Sequence, residues 1–279
     1  MTNPQGLLEP GFLFSQHSLN TYAQCPRRFL LRYVDRQPWP MLEGDEPLAY
    51  EEHLARGRVF HQWMVRAQLG VPMADITDAC EDEHLVRWWR AAQRIDWRTV
   101  PGTIRLPELA VVVPVGDYRL YARYDLVAWS QAAGALILDW KTLPVRLSNE
   151  VLSRRVQTRV YLYTLVAGGS VAVGCPPLLP ESVAMRYWFA EFPDATADLR
   201  YSDVQYAADQ AFLTALVAQI AGQPRAAFLA TTEQRLCARC NYRGYCHHQD
   251  VRAEADPAGW LDEDIDFALD VREAPELDF

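Results

Sequence analysis

Three apolar stretches separated by two short turns occupy the middle of the chain, and they constrain its fold more than any other feature. Gly116-Asp117 makes a tight turn, and Ser130 to Gly134 makes a looser one. Stretches rich in β-branched and aromatic residues and joined by short turns predict an antiparallel meander. We therefore predict three strands, at Glu108 to Val115, Tyr118 to Trp129 and Ala135 to Thr142.

Helical patterns flank this meander on both sides. We predict a helical pair over 15–34, capped by Ser15 or Ser18 and interrupted at Pro26, helices over 50–69, 82–95, 149–167 and 202–222, and a strand over 182–192. This order predicts an α/β fold whose mixed central sheet is flanked by helices. We expect one domain over residues 1–249, with an N-terminal helical insertion at about residues 35–105.

The net charge of −9 comes from the end of the chain. Residues 250–279 contain 11 acidic and 2 basic residues, whereas residues 1–249 contain 25 of each. A neutral body can still carry a local basic groove, so the acidity does not exclude a DNA partner. We expect residues 250–279 to form a flexible acidic tail that docks a protein partner or covers the groove as a DNA mimic.

The sequence shows no sign of secretion or membrane insertion. Its first six residues lack a basic start and an apolar segment, so we expect no signal peptide. The longest uncharged run, Val160 to Pro180, contains glycines and prolines and predicts a helix end followed by a loop. We therefore expect a soluble, cytoplasmic protein that has no membrane partner.

Lys141 is the only lysine in the chain, and the remaining basic residues are arginines. The ammonium group of lysine is a compact point charge whose pKa shifts on burial, whereas the guanidinium group of arginine is planar and always charged. A single lysine that follows Trp140 also excludes a Walker A loop, which needs Gly-Lys-Ser or Gly-Lys-Thr. The chain is therefore neither a P-loop ATPase nor a helicase motor.

Two carboxylates are predicted to lie near this lysine. Alternate strand residues share a face, so Asp139 and Lys141 point the same way at a separation of about 7 Å. Asp125 lies on the preceding strand and could reach the same edge. Paired carboxylates hold hard divalent cations, and a lysine beside them can orient the water that attacks a phosphate. A surface salt bridge is the alternative, because Asp-x-Lys is common on strands.

The order of several motifs resembles that of RecB-type nucleases in the PD-(D/E)XK superfamily. The motifs are Ser15, Ser18, Leu19 and Tyr22 with Cys25-Pro26-Arg27-Arg28-Phe29, then Gly57-Arg58-Val59-Phe60-His61, Tyr121-Ala122-Arg123-Tyr124-Asp125, Asp139-Trp140-Lys141-Thr142, and Gln157 with Tyr161 and Tyr163. The resemblance spans about residues 12–247. It implies a PD-(D/E)XK (restriction-endonuclease-like) fold and a metal-dependent DNA exonuclease.

The resemblance also implies roles for individual residues. His61, Asp125, Asp139 and the main-chain carbonyl of Trp140 would hold Mg²⁺ or Mn²⁺. Lys141 would position the attacking water, and the following helix would complete the catalytic set with Gln157 and Tyr161. Relatives often carry an acidic residue where this chain has Glu108.

Four cysteines form a second candidate metal site. Cys237, Cys240 and Cys246 lie in a segment at about residues 235–248, and Cys25 lies near the start of the body. Short spacing in a cytosolic protein indicates metal binding, and zinc and an iron–sulfur cluster both fit. The resemblance, to RecB-like nucleases such as the AddB nuclease domain and CRISPR-associated exonucleases, implies a [4Fe–4S] cluster. Such a cluster would close a loop of more than 200 residues as a clasp.

Arginines and tyrosines near these sites are candidates for contact with single-stranded DNA, because they hold phosphates and stack on bases. A solvated helix face is the alternative for them. The candidates are Arg27, Arg28, Arg154, Arg155, Arg159 and Tyr163.

The sequence therefore predicts a metal-dependent exonuclease that acts on DNA ends and prefers single strands. CRISPR spacer acquisition and DNA repair or recombination are both open as its pathway. The alternative is a catalytically silent iron–sulfur subunit that binds DNA ends within a larger complex. An iron–sulfur electron carrier would leave His61, Asp125, Asp139 and Lys141 unexplained.

Overall fold

We describe a computed structural model of the chain over residues 7–38, 49–76, 80–102, 104–238 and 240–246. The acidic tail lies outside these residues, and so does the last part of the predicted cysteine segment. Within them, no helix is both long enough and apolar enough to cross a membrane.

A mixed sheet forms the centre of the described structure. Its strands are β1 (Leu13–Ser15), β2 (Ile104–Val115), β3 (Tyr118–Ser130), β4 (Gly134–Lys141), β5 (Val183–Phe189) and β6 (Ala197–Arg200). The strands follow the order β1-β3-β4-β5-β6, and β2 pairs with the other edge of β3. β1 is parallel to β3 and β4 is parallel to β5, whereas the remaining pairs are antiparallel. The predicted mixed α/β class is thus confirmed.

The helices lie mostly where the sequence predicts them. They are α1 (Gln16–Gln24), α2 (Pro26–Phe29), α3 (Ala49–Gln68), α4 (Met73–Ile76), α5 (Glu83–Ala92), α6 (Asn149–Arg154), α7 (Val156–Val173), α8 (Asp203–Gly222) and α9 (Gln234–Ala238). The backbone after α2 makes a π-helical turn at Leu30–Val34. Ser15, not Ser18, is the N-cap of α1, and the two side chains form a reciprocal capping box.

Two local predictions were wrong, and two short strands were missed. The helix predicted over 149–167 is two helices, because Arg155 is extended and ends α6 before α7 begins. The strand predicted from Glu108 begins four residues earlier, at Ile104, and thus takes in the end of the predicted insertion. The short strands β1 and β6 were not predicted, because three or four residues carry too little alternation to be recognised.

Two hydrophobic cores cover the two faces of the sheet. The first contains Ile137 and residues of α1, α7 and α8. Gly168 lets α7 approach β2 closely, since a Cβ there would lie 2.7 Å from Val113 Cγ1. The second contains Leu138 and Trp140 together with aromatic residues of α3 and α5, among them Phe60 and Trp88. Helices α1 and α7 therefore lie on one side of β4, and helices α3 and α5 lie on the other.

β1 and β4 pair with different parts of the longer strand β3, and four residues of β3 lie between the two pairings. Arg119 to Tyr121 pair with β1, and Leu126 to Ser130 pair with β4. Residues 122–125 lie between these two pairings. The side-chain alternation of β3 also changes phase here, because Tyr124 and Val127 contribute to the first core and Leu126 contributes to the second.

Candidate active site

A pocket of about 710 Å³ lies where β3 and β4 part. Side chains from α1, α3 and α7 close it from the sides. The structure brings together in this pocket all the residues predicted from the sequence for catalysis and the divalent metal: His61, Asp125, Asp139, Trp140, Lys141, Gln157 and Tyr161.

Asp139, Lys141 and Gln157 form a closed triangle of contacts. Lys141 Nζ lies 3.0 Å from Asp139 Oδ2 and donates to Gln157 Oε1 at 2.8 Å. Gln157 Nε2 in turn donates to Asp139 Oδ1 at 2.9 Å. All three residues are buried, and Gln157 faces β4 from the first turn of α7 because the helix restarts after Arg155. The amide therefore fixes both the carboxylate and the ammonium group.

Asp125 and His61 form a second pair beside this triangle. Asp125 Oδ1 lies 3.2 Å from His61 Nδ1. Asp125 Oδ2 accepts the main-chain N–H of Trp140 at 2.7 Å. His61 comes from α3, which packs on the second core through Phe60. The pocket therefore combines groups from both faces of the sheet.

Burial and neighbouring charges give Asp139, Asp125 and His61 different protonation behaviour. Burial raises the pKa of Asp139 to about 7, because Asp125 adds repulsion and Lys141 only partly compensates. Burial also acts to raise the pKa of Asp125, but His61 and the Trp140 hydrogen bond outweigh it and the net pKa is lowered. Burial acts to lower the pKa of His61, yet Asp125 and Asp139 raise it overall.

The donor set fits a hard divalent cation. Two carboxylates and one imidazole are ligands that Mg²⁺ and Mn²⁺ accept. Asp139 Oδ2 is buried and has no hydrogen bond within the described residues, although it faces the ammonium group. Within the described residues, no three His, Cys, Asp or Glu side chains lie close enough together to form a metal site.

Glu108 and Arg123 line the same pocket and form an ion pair at 3.1 Å. Glu108 has a φ of 54°, a left-handed conformation that costs a non-glycine residue about 1–2 kcal/mol. Burial raises the pKa of Glu108, and Arg123 opposes the shift. Arg123 was not singled out from the sequence, although it lies two residues before Asp125 and alternation could have indicated it.

The start of α1 supplies residues that sequence reasoning missed. Gln16 is buried, lines the pocket and places its Nε2 3.2 Å from Tyr161 Oη. His17 lines the pocket as well. Nothing in the local sequence distinguishes these residues from an ordinary first helical turn.

Two of the predicted DNA-binding residues contact α8 instead of the pocket. Arg159 lies 3.6 Å from Asp209 and 4.4 Å from the ring centroid of Phe212. Tyr163 is buried and stacks on Tyr206 at 5.4 Å. Both side chains hold α7 to α8, because that face of α7 is turned toward α8.

The remaining arginines of that set also lie outside the pocket lining. Arg154 forms an exposed ion pair with Glu150, and Arg155 occupies the break between α6 and α7. Arg27 and Arg28 lie in α2, directly after Cys25.

The four predicted cysteines line a second pocket. It contains Cys25, Cys237, Cys240 and Cys246, and every thiol is free of a disulfide. Burial raises the pKa of the last three thiols. Thiols that share a pocket become, once deprotonated, a donor set for soft or borderline metals. A formed site of three ligands is nevertheless not present within the described residues.

Comparison with known proteins supplies one family. A family described as the PD-(D/E)XK nuclease superfamily matches residues 13–247. No curated protein matches the sequence. The crystal structure of SSO0001 aligns with a TM-score of 0.42 and 15% identity over 86% of this chain and 87% of that one. A candidate exonuclease from Eubacterium rectale aligns with a TM-score of 0.48 and 8% identity over 87% and 90%. Both structures are too distant to support a functional assignment.

Proposed function

Because the chain belongs to the PD-(D/E)XK nuclease superfamily, we propose that it is a metal-dependent exonuclease that hydrolyses phosphodiester bonds at DNA ends. The observation that carries the proposal is the triangle of Asp139, Lys141 and Gln157. It shares a pocket with Asp125 and His61. A buried carboxylate bound to a buried ammonium group is costly to maintain, and catalysis gives a reason for it.

The seven predicted residues of the pocket each have a part in the proposed reaction. Asp125, Asp139, His61 and the main-chain carbonyl of Trp140 would hold Mg²⁺ or Mn²⁺, which lowers the pKa of bound water and neutralises phosphate charge. Lys141 donates a hydrogen bond to the attacking water and stabilises negative charge at the phosphate. Gln157 holds Lys141 and Asp139 at their separation, and Tyr161 borders the substrate from the next turn of α7.

The proposal extends to the cysteine pocket. Cys25, Cys237, Cys240 and Cys246 would hold a [4Fe–4S] cluster, with Zn²⁺ as the alternative. The shared pocket and the free thiols support a common metal. The cluster would join the start of α2 to residues 237–246. Two hydrogen bonds already connect these parts of the chain: Arg27 N–H donates to Leu229 O, and Tyr242 Oη donates to Gln37 O.

The substrate is proposed to be DNA with free ends, single-stranded in preference. Arg27 and Arg28, which lie in α2 outside the α7–α8 interface, are the first candidates for contact with it. Arg154 and Arg155 are weaker candidates near the start of α7. Processing of DNA ends in CRISPR spacer acquisition or in repair is the proposed setting, and the resemblance of the motifs is its support.

Cleavage of end-labelled DNA tests this function directly. Anaerobically purified protein with Mn²⁺ is expected to shorten linear single strands faster than duplexes, and to leave circular single strands intact. EDTA and Lys141→Ala should each stop the reaction. If the wild type binds DNA ends but leaves them uncut under all conditions, the protein is a silent end-binding subunit instead. Cleavage of circles would contradict the exonuclease assignment.

A further inference from the structure

One wall of the catalytic pocket contains a buried amide, that of Gln16, which the proposed chemistry does not use. Gln16 is 7% exposed and lines the pocket. Its Nε2 lies 3.2 Å from Tyr161 Oη and 3.3 Å from His17 Nε2. Its Oε1 is buried and has no hydrogen bond within the described residues. A buried acceptor without a donor is costly, so this oxygen is expected to meet a donor when the pocket is filled.

The Gln16 amide is held in a fixed relation to the catalytic lysine. Gln157 and Tyr161 lie four residues apart on α7 and therefore on one face of that helix. Gln157 contacts Lys141, and Tyr161 contacts Gln16. The neighbouring Ser15 pairs with Tyr121 of β3, which also fixes the start of α1 to the sheet. Gln16 and Lys141 therefore line the same pocket and are connected through two residues of one helix face.

We propose that Gln16 Oε1 accepts a hydrogen bond from the free hydroxyl group of the terminal nucleotide, an inference that rests on the nuclease function proposed above. Both backbone hydroxyls of an internal deoxynucleotide are esterified, so a hydroxyl donor marks the end of a DNA strand. Gln16 thus makes the pocket specific for strand ends.

The chemistry of an amide oxygen gives this site a sharp preference. A terminal phosphate presents mainly acceptor oxygens and negative charge, so it would face Gln16 Oε1 without a donor. A terminal deoxy position offers no donor at all. Hydroxyl ends should therefore bind better than either. A site built to bind a hydroxyl group rejects an analogue that lacks it, because the buried acceptor is left unpaired.

Binding of end-modified oligonucleotides tests the proposal without catalysis. Fluorescence anisotropy in EDTA would compare single strands that carry hydroxyl, hydrogen or phosphate at the 3′ end, and the same three groups at the 5′ end. Wild type should bind the hydroxyl form about tenfold more tightly than the other two, at one of the two ends. Gln16→Met has a similar length but only a weak thioether acceptor, and it should bind all three alike.

Two further variants make the comparison decisive. Gln93→Met replaces an exposed glutamine at the end of α5, outside the pocket, and should keep the wild-type preference. Gln16→Glu keeps an acceptor oxygen and should keep the hydroxyl preference while rejecting phosphate more strongly. It also tests the idea if circular dichroism shows that Gln16→Met does not fold.

Several results would overturn the proposal. They are equal binding of hydroxyl and deoxy ends by wild type, a preference that persists in Gln16→Met, and a preference that follows the terminal base. A phosphate preference that Gln16→Met removes would mean that the amide N–H faces the substrate, which also overturns it. Cleavage of hydroxyl-ended strands in Mn²⁺ is measured on the same samples. Absence of cleavage by wild type would refute the nuclease function, while the binding comparison still decides the role of Gln16.

Discussion

Asp125 accepts the main-chain N–H of Trp140 at 2.7 Å, and it does so just beyond Leu126 and Leu138, the pair of the β3–β4 ladder nearest the site. At the point where the strands part, the main-chain N–H of Trp140 donates to a side-chain oxygen of β3 instead of to a main-chain carbonyl. One carboxylate oxygen is thus structural, and the other faces His61. The residue that bridges the two strands where they part is therefore also a proposed metal ligand.

Substitution of Asp125 should separate its two roles. Asp125→Asn keeps a side-chain oxygen for the Trp140 N–H, whereas Asp125→Ala leaves that buried donor unsatisfied. Both should lose metal affinity by at least about 100-fold. Only the alanine variant should also lose about 1–3 kcal/mol in the free energy of unfolding. Urea unfolding in EDTA measures the difference, and equal midpoints for the two variants would contradict the structural role.

Lys141 should not be replaceable by arginine. Its ammonium group fits between Asp139 and Gln157 as a point charge, and a planar guanidinium fork cannot take that position. Lys141→Arg and Lys141→Met should both lower the rate of cleavage at saturating Mn²⁺ by about 10²–10³-fold. Single-turnover cleavage is the measurement. Activity of the arginine variant within a few-fold of wild type would show that positive charge alone is sufficient.

Metal binding should strengthen as the pH rises. The pKa of Asp139 is raised to about 7 in the metal-free protein, and that of His61 is raised as well, so both groups must lose protons before they bind a cation. Mn²⁺ affinity should rise about tenfold per pH unit per proton released below pH 7 and then level off. Calorimetric titration between pH 6 and about 8.5 checks this. Affinity independent of pH would mean that Asp139 is already ionised.

Asp139 should also make the metal-free protein less stable at neutral pH. Its pKa in the folded state lies above its value of about 4 in the unfolded chain, so the folded state binds the proton more tightly. The stability that this proton provides is complete below about pH 4 and is lost as the pH rises through 7. Asp139→Asn should therefore reduce the pH dependence of unfolding in EDTA over this range. An unchanged profile would place the titration on another group.

Cys25→Ser should remove the metal of the cysteine pocket and most of the stability of the body. Closing a loop of more than 200 residues is worth about 5 kcal/mol in chain entropy. Cys175→Ser is the matched control, because Cys175 lies outside the cysteine pocket and should leave metal content and melting temperature unchanged. Iron and zinc analysis of both variants decides the identity of the metal. Normal metal content in Cys25→Ser would refute the clasp.

Deletion of residues 250–279 should tighten DNA binding. The segment carries 11 acidic and 2 basic residues and would repel or replace DNA at a basic surface. The gain in affinity should be largest at low salt and shrink as salt is added, because electrostatic competition is screened. Anisotropy titrations over a salt series measure it. If neither affinity nor cleavage changes, the tail has no part in DNA binding.

The sequence was sufficient for the features that depend on local periodicity. Asp139 and Lys141 share a face because strand residues alternate, and the structure joins them at 3.0 Å. The short turns between the three middle strands were strong enough to predict their antiparallel pairing. The mixed α/β class followed from the order of the elements.

Features that depend on tertiary contacts could not be predicted in this way. Helix α7 is apolar on most of its surface, so its sequence does not show that Arg159 and Tyr163 face α8. The phase change of β3 accompanies a left-handed residue, Glu108, whose φ no side-chain pattern indicates. Gln16 entered the pocket only because β1, a strand of three residues, fixes α1 to β3.

The two hydrophobic cores have a consequence for unfinished molecules. Asp139, Lys141 and Gln157 meet on the side of the first core, whereas His61 depends on a helix that packs on the second. A nascent or damaged chain in which only one core has formed would lack part of this set of residues. Assembly of the pocket therefore requires both cores.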